Sequence, residues 1–218
     1  MFLMVPYVLS AAVAKDVRWV GHSKGGLVAY AHLARQPDAP IRAIATLGTP
    51  IHFEHQRGVK QFLRAVAPAF GLKVIPLRLA TRLVAPVGLP PWPIGPYLAN
   101  AQNMEPQVIR QAISNVTADV LGGVGRQFLR WVATGRLDGE DGFDYRAALK
   151  QVRVPVLLLA GVKDLLAPPQ TVAPTQALLG GPVEYVQLGR AHGFEADYGH
   201  GDLTLGRRAP DEVFPVVA

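Results

Sequence analysis

Cysteine is absent from this 218-residue sequence, which excludes disulfides, thiolate metal sites and a cysteine nucleophile. Charged residues are also sparse, at 17% of the chain against 50% hydrophobic residues, so extensive disorder is excluded and a packed core is expected. No apolar run approaches the roughly 20 residues that a membrane-spanning helix needs. The length suits one domain, or a domain with a small insertion.

The excess of positive charge is not concentrated in any one segment. The formal net charge is +6, but the densest basic groups are only Arg207-Arg208 and the scattered Arg57, Lys60 and Arg64. Nucleic-acid binding requires a basic stripe on one face of the protein. We therefore expect an ordinary solvated surface and no nucleic-acid partner.

The N-terminal stretch, residues 1–14, is almost entirely apolar. It ends in Ala-Val-Ala, which resembles a signal-peptidase site, but no Lys or Arg precedes it as a secretory signal requires. The other interpretation is a buried helix with Pro6 in its first turn and Leu9, Ala12 and Val13 on one face. The missing positive charge favours the helix and a cytoplasmic protein, while a short signal peptide stays the alternative.

The strongest chemical signal is the G-x-S-x-G motif Gly21-His22-Ser23-Lys24-Gly25. It follows the apolar strand VRWV and precedes a helix with apolar periodicity, which is the context that gives the motif its meaning. Ser23 would project its hydroxyl from a strained turn, and Gly21 and Gly25 would avoid Cβ collisions with the strand and helix. The helix N-terminus would favour negative charge developing beside Ser23. The alternative is a glycine-rich turn that only links a strand to a helix.

This segment resembles the nucleophile elbow of the α/β-hydrolases, in which an acid and then a histidine follow the serine along the chain. Residues 154–161 are continuously apolar, as a buried parallel strand is, and lead to Asp164 and Pro168. The pattern V-P-V-L-L-L-A-G-x-x-D-x-x-x-P resembles the acid turn of that family. The resemblance implies that Asp164 orients the histidine and stabilises its charged form. An Asx turn or a helix cap is the alternative for Asp164.

Two histidines follow the next predicted strand, residues 183–188, and compete for the role of the base. His192 lies close to the end of that strand, whereas His200 lies at the start of the string GHGDLTLGRRAPDEVF. That string resembles the catalytic-histidine segment of the acid lipases, in which H-x-D is followed by a glycine and a closing helix. The resemblance implies that His200 is the base, and His192 remains the alternative.

The other histidines do not predict a metal site. His22 occupies a position that the resembled family often fills with histidine, and His52 and His55 lie three residues apart. Two histidines and Glu54 are too few ligands for a structural metal. We therefore expect no metal, and the resemblance implies no cofactor.

A long connection separates the strand predicted within residues 41–50 from the acid strand. This connection is far longer than one βα crossover needs. Apolar spacing within it predicts helices at residues 59–66, 108–116 and 124–132. The resemblance implies a core of residues 1–50 and 151–218, with residues 51–150 forming a mostly helical cap over the active site.

Aromatic side chains of the predicted cap have two interpretations. Most are expected in the cap's own core, and a few are expected to face the site, where they would suit an acyl chain. The residues concerned are Phe62, Phe70, Trp92, Tyr97, Phe128 and Trp131.

The resemblance also implies parts of the fold that this sequence does not contain. Only 16 residues precede the nucleophile strand, where the α/β-hydrolases have several strands and the loop that supplies a second oxyanion-hole N–H. The Lys24 amide is the implied first donor. We expect a partial α/β-hydrolase fold with the first strands of its parallel sheet absent, as a truncated product or a short protein that pairs with another chain. An unpaired apolar edge would favour homo-oligomers.

These resemblances imply a serine hydrolase that acts on carboxylic esters with an apolar acyl group. Ser23 would attack the ester carbonyl, His200 would take and return the proton, and Asp164 would orient His200. One alternative is a polyester synthase-like acyltransferase, although those enzymes resemble this pattern with cysteine as nucleophile. Another is a catalytically weak or inactive remnant that acts only by binding. The expected partner is a small-molecule or lipid ester, without stable membrane insertion.

Overall fold

The computed structural model describes residues 4–53, 71, 73–84, 86, 88, 95–115 and 118–218. The strands are β1 (Val17–His22), β2 (Ile41–Leu47), β3 (Val74–Ile75), β4 (Val120–Leu121), β5 (Val156–Gly161) and β6 (Val183–Leu188). The helices are α1 (Met4–Ala12), α2 (Lys24–Arg35), α3 (Leu77–Val84), α4 (Gly95–Leu98), α5 (Pro106–Asn115), α6 (Gly122–Thr134), α7 (Tyr145–Ala148), α8 (Pro169–Val172), α9 (Asp202–Leu205), α10 (Ala209–Glu212) and α11 (Phe214–Val217). No helix within these residues is both long and apolar enough to cross a membrane.

The main sheet has the strand order β1-β2-β5-β6 within the described residues, and every neighbouring pair is parallel. Strand β1 pairs with β2, with Val20 opposite Ala45. Strand β5 is central, as its continuous apolar run predicts, because β2 and β6 flank it. The carboxyl ends of these strands meet at one edge of the sheet, where Ser23 and Asp164 follow β1 and β5.

Helical segments cover both faces of the sheet. Leu27, Tyr30 and Leu33 of α2 form one apolar cluster with sheet residues such as Leu158. On the opposite face, Leu159 packs with side chains of the C-terminal segments α9 to α11 and the loop before them. The alternation of side chains along parallel strands therefore produces two apolar layers, one on each face of the sheet.

The predicted N-terminal helix is confirmed as α1, but its buried face differs from the prediction. Val5 is only 3% exposed and anchors the helix to the main apolar cluster, and Leu9 packs partly against it. Ala12 is exposed and Val13 is 93% exposed with a φ of 51°, so these two residues do not share the buried face. Val13 lies beyond the last residue of α1 and its positive φ takes it out of the helical conformation.

The predicted insertion contains helices at two of the three expected places, α5 and α6, while residues 59–66 lie outside the described residues. The sequence patterns did not predict helix α3 or the short antiparallel pair β3–β4. Two of the aromatic residues are core residues, because Phe128 and Trp131 pack on Phe53 with ring centroids 5.7 and 6.4 Å apart. Tyr97 packs partly against the same cluster. Phe62, Phe70 and Trp92 lie outside the described residues.

The outer edge of β1 has no strand partner within the described part of the chain, since β1 pairs only with β2. Beside this edge, Val20 is 60% exposed. Unpaired backbone N–H and C=O groups next to exposed apolar surface favour pairing with another chain.

We therefore expect the 218-residue chain, purified alone, to self-associate in a concentration-dependent way. Size-exclusion chromatography with light scattering at several concentrations measures this. Val20→Lys adds a charge beside the edge and should shift the population toward monomer. A wild-type chain that stays monomeric at every concentration would show that this edge is not adhesive.

Candidate active site

Ser23 occupies the turn between β1 and α2 in a strained conformation. Its φ of 53° and ψ of −118° lie outside the regions that L-residues prefer. Within the described residues only Val13 and Ser23 have positive φ without being glycine. Such a conformation costs about 1–3 kcal/mol and persists only where surrounding contacts enforce it.

Backbone contacts from the end of β2 hold this turn in place. The Ser23 N–H donates to the Leu47 carbonyl oxygen at 2.8 Å, and the Thr49 hydroxyl donates to the Ser23 carbonyl oxygen at 3.0 Å. The Ser23 hydroxyl is half-buried and makes no capping hydrogen bond to α2. The serine is therefore not explained as a helix cap, which is the usual structural role of serine before a helix.

The glycines around Ser23 do not all have the predicted role. A Cβ at Gly21 would lie 2.6 Å from both the Gly25 carbonyl carbon and the Gly26 nitrogen, so the requirement at Gly21 is confirmed. The same prediction for Gly25 is wrong, because a Cβ there would meet no atom within 4 Å. The close approach falls instead at Gly26, where a Cβ would lie 2.2 Å from Thr49 Oγ1. Helix α2 presents Gly26, rather than Gly25, to the chain leaving β2.

Asp164 and His200 form a buried hydrogen-bonded pair. Asp164 Oδ2 lies 2.8 Å from His200 Nδ1, and the two residues are 1% and 7% exposed. Asp164 Oδ1 accepts from the N–H groups of Leu166 and Ala167 at 2.9 and 2.7 Å. One carboxylate oxygen thus fixes the turn after β5, as the Asx-turn interpretation requires, and the other faces the imidazole. The Asx-turn interpretation of Asp164 is confirmed for Oδ1, while Oδ2 is placed against His200 Nδ1.

Gly48, directly after β2, is a site residue that sequence reasoning missed. Its φ is 56°, and a Cβ there would lie 2.9 Å from Asp164 Oδ2 and 3.2 Å from His200 Nδ1. The backbone leaving β2 therefore touches the carboxylate–imidazole pair. The only sequence signal for Gly48 is its place directly after a predicted strand. Glycines are common at strand ends, so this place alone does not indicate a site residue.

His22 is a second site residue whose contacts the sequence did not reveal. Its Nε2 lies 2.9 Å from the His200 carbonyl oxygen, and the two ring centroids are 4.7 Å apart. Burial, with a smaller contribution from His200, lowers the pKa of His22 from 6.5 to about 4. His22 is therefore neutral near pH 7, and its Nε2 carries the proton because a carbonyl oxygen can only accept. Since Ser23 follows His22 directly, this contact brings the Ser23 turn and the His200 loop together.

The structure pairs His200, rather than His192, with Asp164. His192 ends a short 3₁₀ turn, Arg190–His192, after β6 and is exposed. Lys24 is the first residue of α2, and its side chain is exposed. Its backbone N–H belongs to the first helical turn, whose amides have no acceptor within the helix and form the positive end of the helix dipole.

A groove of ≈ 580 Å³ lies beside the turn that carries Asp164. One wall comes from that turn, and the other comes from helix α4 and the residues after it. The lining residues are Gly95, Pro96, Ala99, Asn100, Ala101, Gln102, Val162, Lys163 and Leu165. Within the described residues no group of three or more His, Asp or Glu side chains could hold a metal ion, and His55 and Glu54 lie outside those residues.

Solved structures share this architecture, although no protein-family model and no curated protein matches the sequence. An esterase from Exiguobacterium antarcticum has a TM-score of 0.58 at 16% identity, with 96% of this chain covering 68% of that one. A monoacylglycerol lipase from Paleococcus ferrophilus has a TM-score of 0.59 at 12% identity, covering 98% and 71%. A bromoperoxidase from Bacillus anthracis has a TM-score of 0.54 at 12% identity, covering 96% and 69%.

These similarities identify an α/β-hydrolase fold, as the sequence predicts. The chain spans roughly two thirds of the length of those structures, so it represents part of that fold. An esterase, a lipase and a bromoperoxidase appear together because one fold hosts several chemistries. The reaction must therefore be argued from the site itself.

Proposed function

We propose that this chain is a serine hydrolase that acts on carboxylic esters. Ser23 is the nucleophile, His200 is the general base and acid, and Asp164 orients His200. The observation that carries the proposal is the buried Asp164–His200 pair, at 2.8 Å, at the same sheet edge as the strained Ser23 turn. A nucleophile, a base and a group that orients the base are the requirements of covalent catalysis of acyl transfer.

The imidazole geometry favours this division of roles. Because His200 Nδ1 is engaged by Asp164, Nε2 is the ring nitrogen left to accept the Ser23 hydroxyl proton. Serine Oγ attacks the ester carbonyl, the C–O bond to the alcohol breaks, and the alcohol leaves with the proton from His200. Water then gives a proton to His200 and attacks the acyl group. The acyl–Oγ bond breaks as His200 returns that proton to Ser23 Oγ, and the carboxylic acid is released.

The N-terminus of α2 supplies electrostatic stabilisation in this proposal. The Lys24 N–H stands at the start of the helix behind Ser23, where it would donate to the oxyanion formed from the carbonyl oxygen. One donor of this kind is worth about 10²–10³ in rate. The Lys24 side chain has no role in this step, because the donor is its backbone amide.

The acyl group is proposed to be apolar, with residues 51–150 forming a cap beside the sheet edge. The groove beside Asp164 supports this placement, because Leu165 and Ala99 contribute apolar lining from the acid turn and the insertion. A mostly apolar concave surface with a few polar groups is typical of small-molecule sites.

Labelling with a fluorophosphonate tests the proposed function. An activated serine attacks the phosphorus and keeps the phosphonyl group, so the wild-type chain should be labelled, and peptide mass spectrometry should place the label on Ser23. Heat-unfolded protein is the control and should not react. A folded chain that is not labelled at Ser23 would favour the alternative in which the chain only binds. Labelling together with transfer of the acyl group to an alcohol, but not to water, would favour the acyltransferase alternative.

A further inference from the structure

Asp202 is a buried carboxylate two residues after His200 that the proposed reaction does not use. It is 0% exposed and accepts three hydrogen bonds. Its Oδ1 accepts from the Asn100 N–H at 2.8 Å, and its Oδ2 accepts from Asn103 Nδ2 at 2.7 Å and from the Gly199 N–H at 2.9 Å. All three partners are neutral N–H donors, so both oxygens act only as acceptors, as an ionised carboxylate does.

These contacts join two distant parts of the chain. Gly199 immediately precedes His200, whereas Asn100 and Asn103 belong to the residues after α4, inside the predicted cap. Further hydrogen bonds join the same two stretches: both asparagine side chains donate to the Asp197 carbonyl oxygen, at 2.9 and 2.7 Å. The Gly201 N–H also donates to the Leu98 carbonyl oxygen at 2.8 Å. The loop that carries His200 is therefore fixed against residues 98–103.

The packing around His200 shows how closely the two stretches fit. A Cβ at Gly199 would lie 2.7 Å from the Asn100 nitrogen, and a Cβ at Gly201 would lie 2.8 Å from the Leu98 carbonyl oxygen. The backbone on both sides of His200 thus lies directly against residues 98–100. A displacement of those residues would move His200 itself, and a misplacement of about 1 Å in a catalytic group can cost about 100-fold in rate.

We propose that Asp202 is a positioning residue, which sets the orientation of His200 by fixing its loop to residues 98–103 of the predicted cap. The inference rests on the proposed function for the role of His200. A buried carboxylate is costly unless its hydrogen bonds are complete, and this one is satisfied only when both stretches are in place. Asp202 itself does not line the groove beside Asp164, but Ala99 and Asn100 of the stretch that it holds do, so the state of the His200 imidazole, rather than KM, distinguishes the positioning role.

Asp202→Asn is the principal test, because it keeps the shape of the side chain but directs an NH₂ group at N–H donors. We expect kcat for a p-nitrophenyl ester to fall about 10- to 100-fold. A second readout needs no substrate: the NMR resonance of the proton between His200 Nδ1 and Asp164 Oδ2 should shift or broaden. His200→Ala, which removes that resonance, assigns it. Asp211→Asn is the matched control, since Asp211 is exposed and also follows His200.

The outcomes separate the positioning role from the proposed function. If the wild-type chain hydrolyses no ester, the proposed function fails, and the NMR resonance alone decides whether Asp202 orients His200. If Asp202→Asn is folded and keeps both wild-type kcat and an unchanged resonance, the positioning role is wrong. If it only melts at a lower temperature, with both readouts unchanged when folded, Asp202 is merely structural.

A milder variant covers the case in which Asp202→Asn does not fold. Asn103→Ala removes one donor to Asp202 and leaves the two backbone donors in place. It should produce a smaller loss of kcat, about 3- to 10-fold, with a measurable shift of the same resonance. An Asn103→Ala chain with wild-type kcat and resonance would overturn the proposal.

Discussion

Ser23→Ala should abolish ester hydrolysis while leaving the fold unchanged. In the proposed reaction the substitution removes the atom that forms the covalent bond to the acyl group, and loss of a triad serine costs on the order of 10⁶ in kcat. The free energy of unfolding should change by less than about 1 kcal/mol, because the half-buried hydroxyl makes no capping bond and alanine has the same strain at this φ. A p-nitrophenyl ester assay and a thermal melt measure the two quantities.

A second serine variant controls for this comparison. Ser10 lies in α1 and is exposed, so Ser10→Ala should keep full turnover and a wild-type melting temperature. The nucleophile assignment would be wrong if purified Ser23→Ala, free of contaminating esterase, retained turnover near that of Ser10→Ala.

His200→Ala should lose nearly as much activity as Ser23→Ala, because members of a triad act as a unit. In the proposed reaction no base then takes the serine proton. The substitution also removes the partner of Asp164 Oδ2, which lies 2.8 Å from His200 Nδ1 in the wild-type chain. His192→Ala should retain most of the activity, because His192 is exposed and does not contact Asp164. Measurement of kcat and KM for both variants, with circular dichroism to verify folding, separates the two histidines.

The opposite result for the two variants would change the assignment of the base. Loss of turnover in His192→Ala with full activity in His200→Ala would transfer the role of the base to His192.

Local patterns were enough to predict most of the sheet and the order of the site residues. The apolar run before Asp164 predicts a buried parallel strand and VRWV predicts a strand before the Ser23 turn; the structure has β5 and β1 there, although Val20 of β1 is 60% exposed. G-x-S-x-G between a strand and a helix predicts the sharp turn that Ser23 occupies, because the chain must reverse within a few residues. These strands and this turn depend on residues that are neighbours along the chain, so a single sequence is enough to predict them.

Contacts between distant segments could not be read in the same way. Gly26 and Gly48 carry steric requirements because they face Thr49 and the Asp164–His200 pair, and sequence spacing does not show which glycine faces a neighbour. The motif predicted no partner for His22, whereas in the structure its Nε2 lies within hydrogen-bond distance of the His200 carbonyl oxygen.

The sequence by itself determined the parallel α/β architecture, the strained serine turn and the acid after the central strand, because these follow from apolar periodicity and local turn chemistry. Only the tertiary structure decided which histidine meets Asp164, since His192 and His200 both follow β6 within one loop region. It also showed that Asp202 joins His200's loop to residues 98–103. Hydrogen bonds of this kind form between residues about 100 positions apart, and their partners become neighbours only when burial brings the segments together.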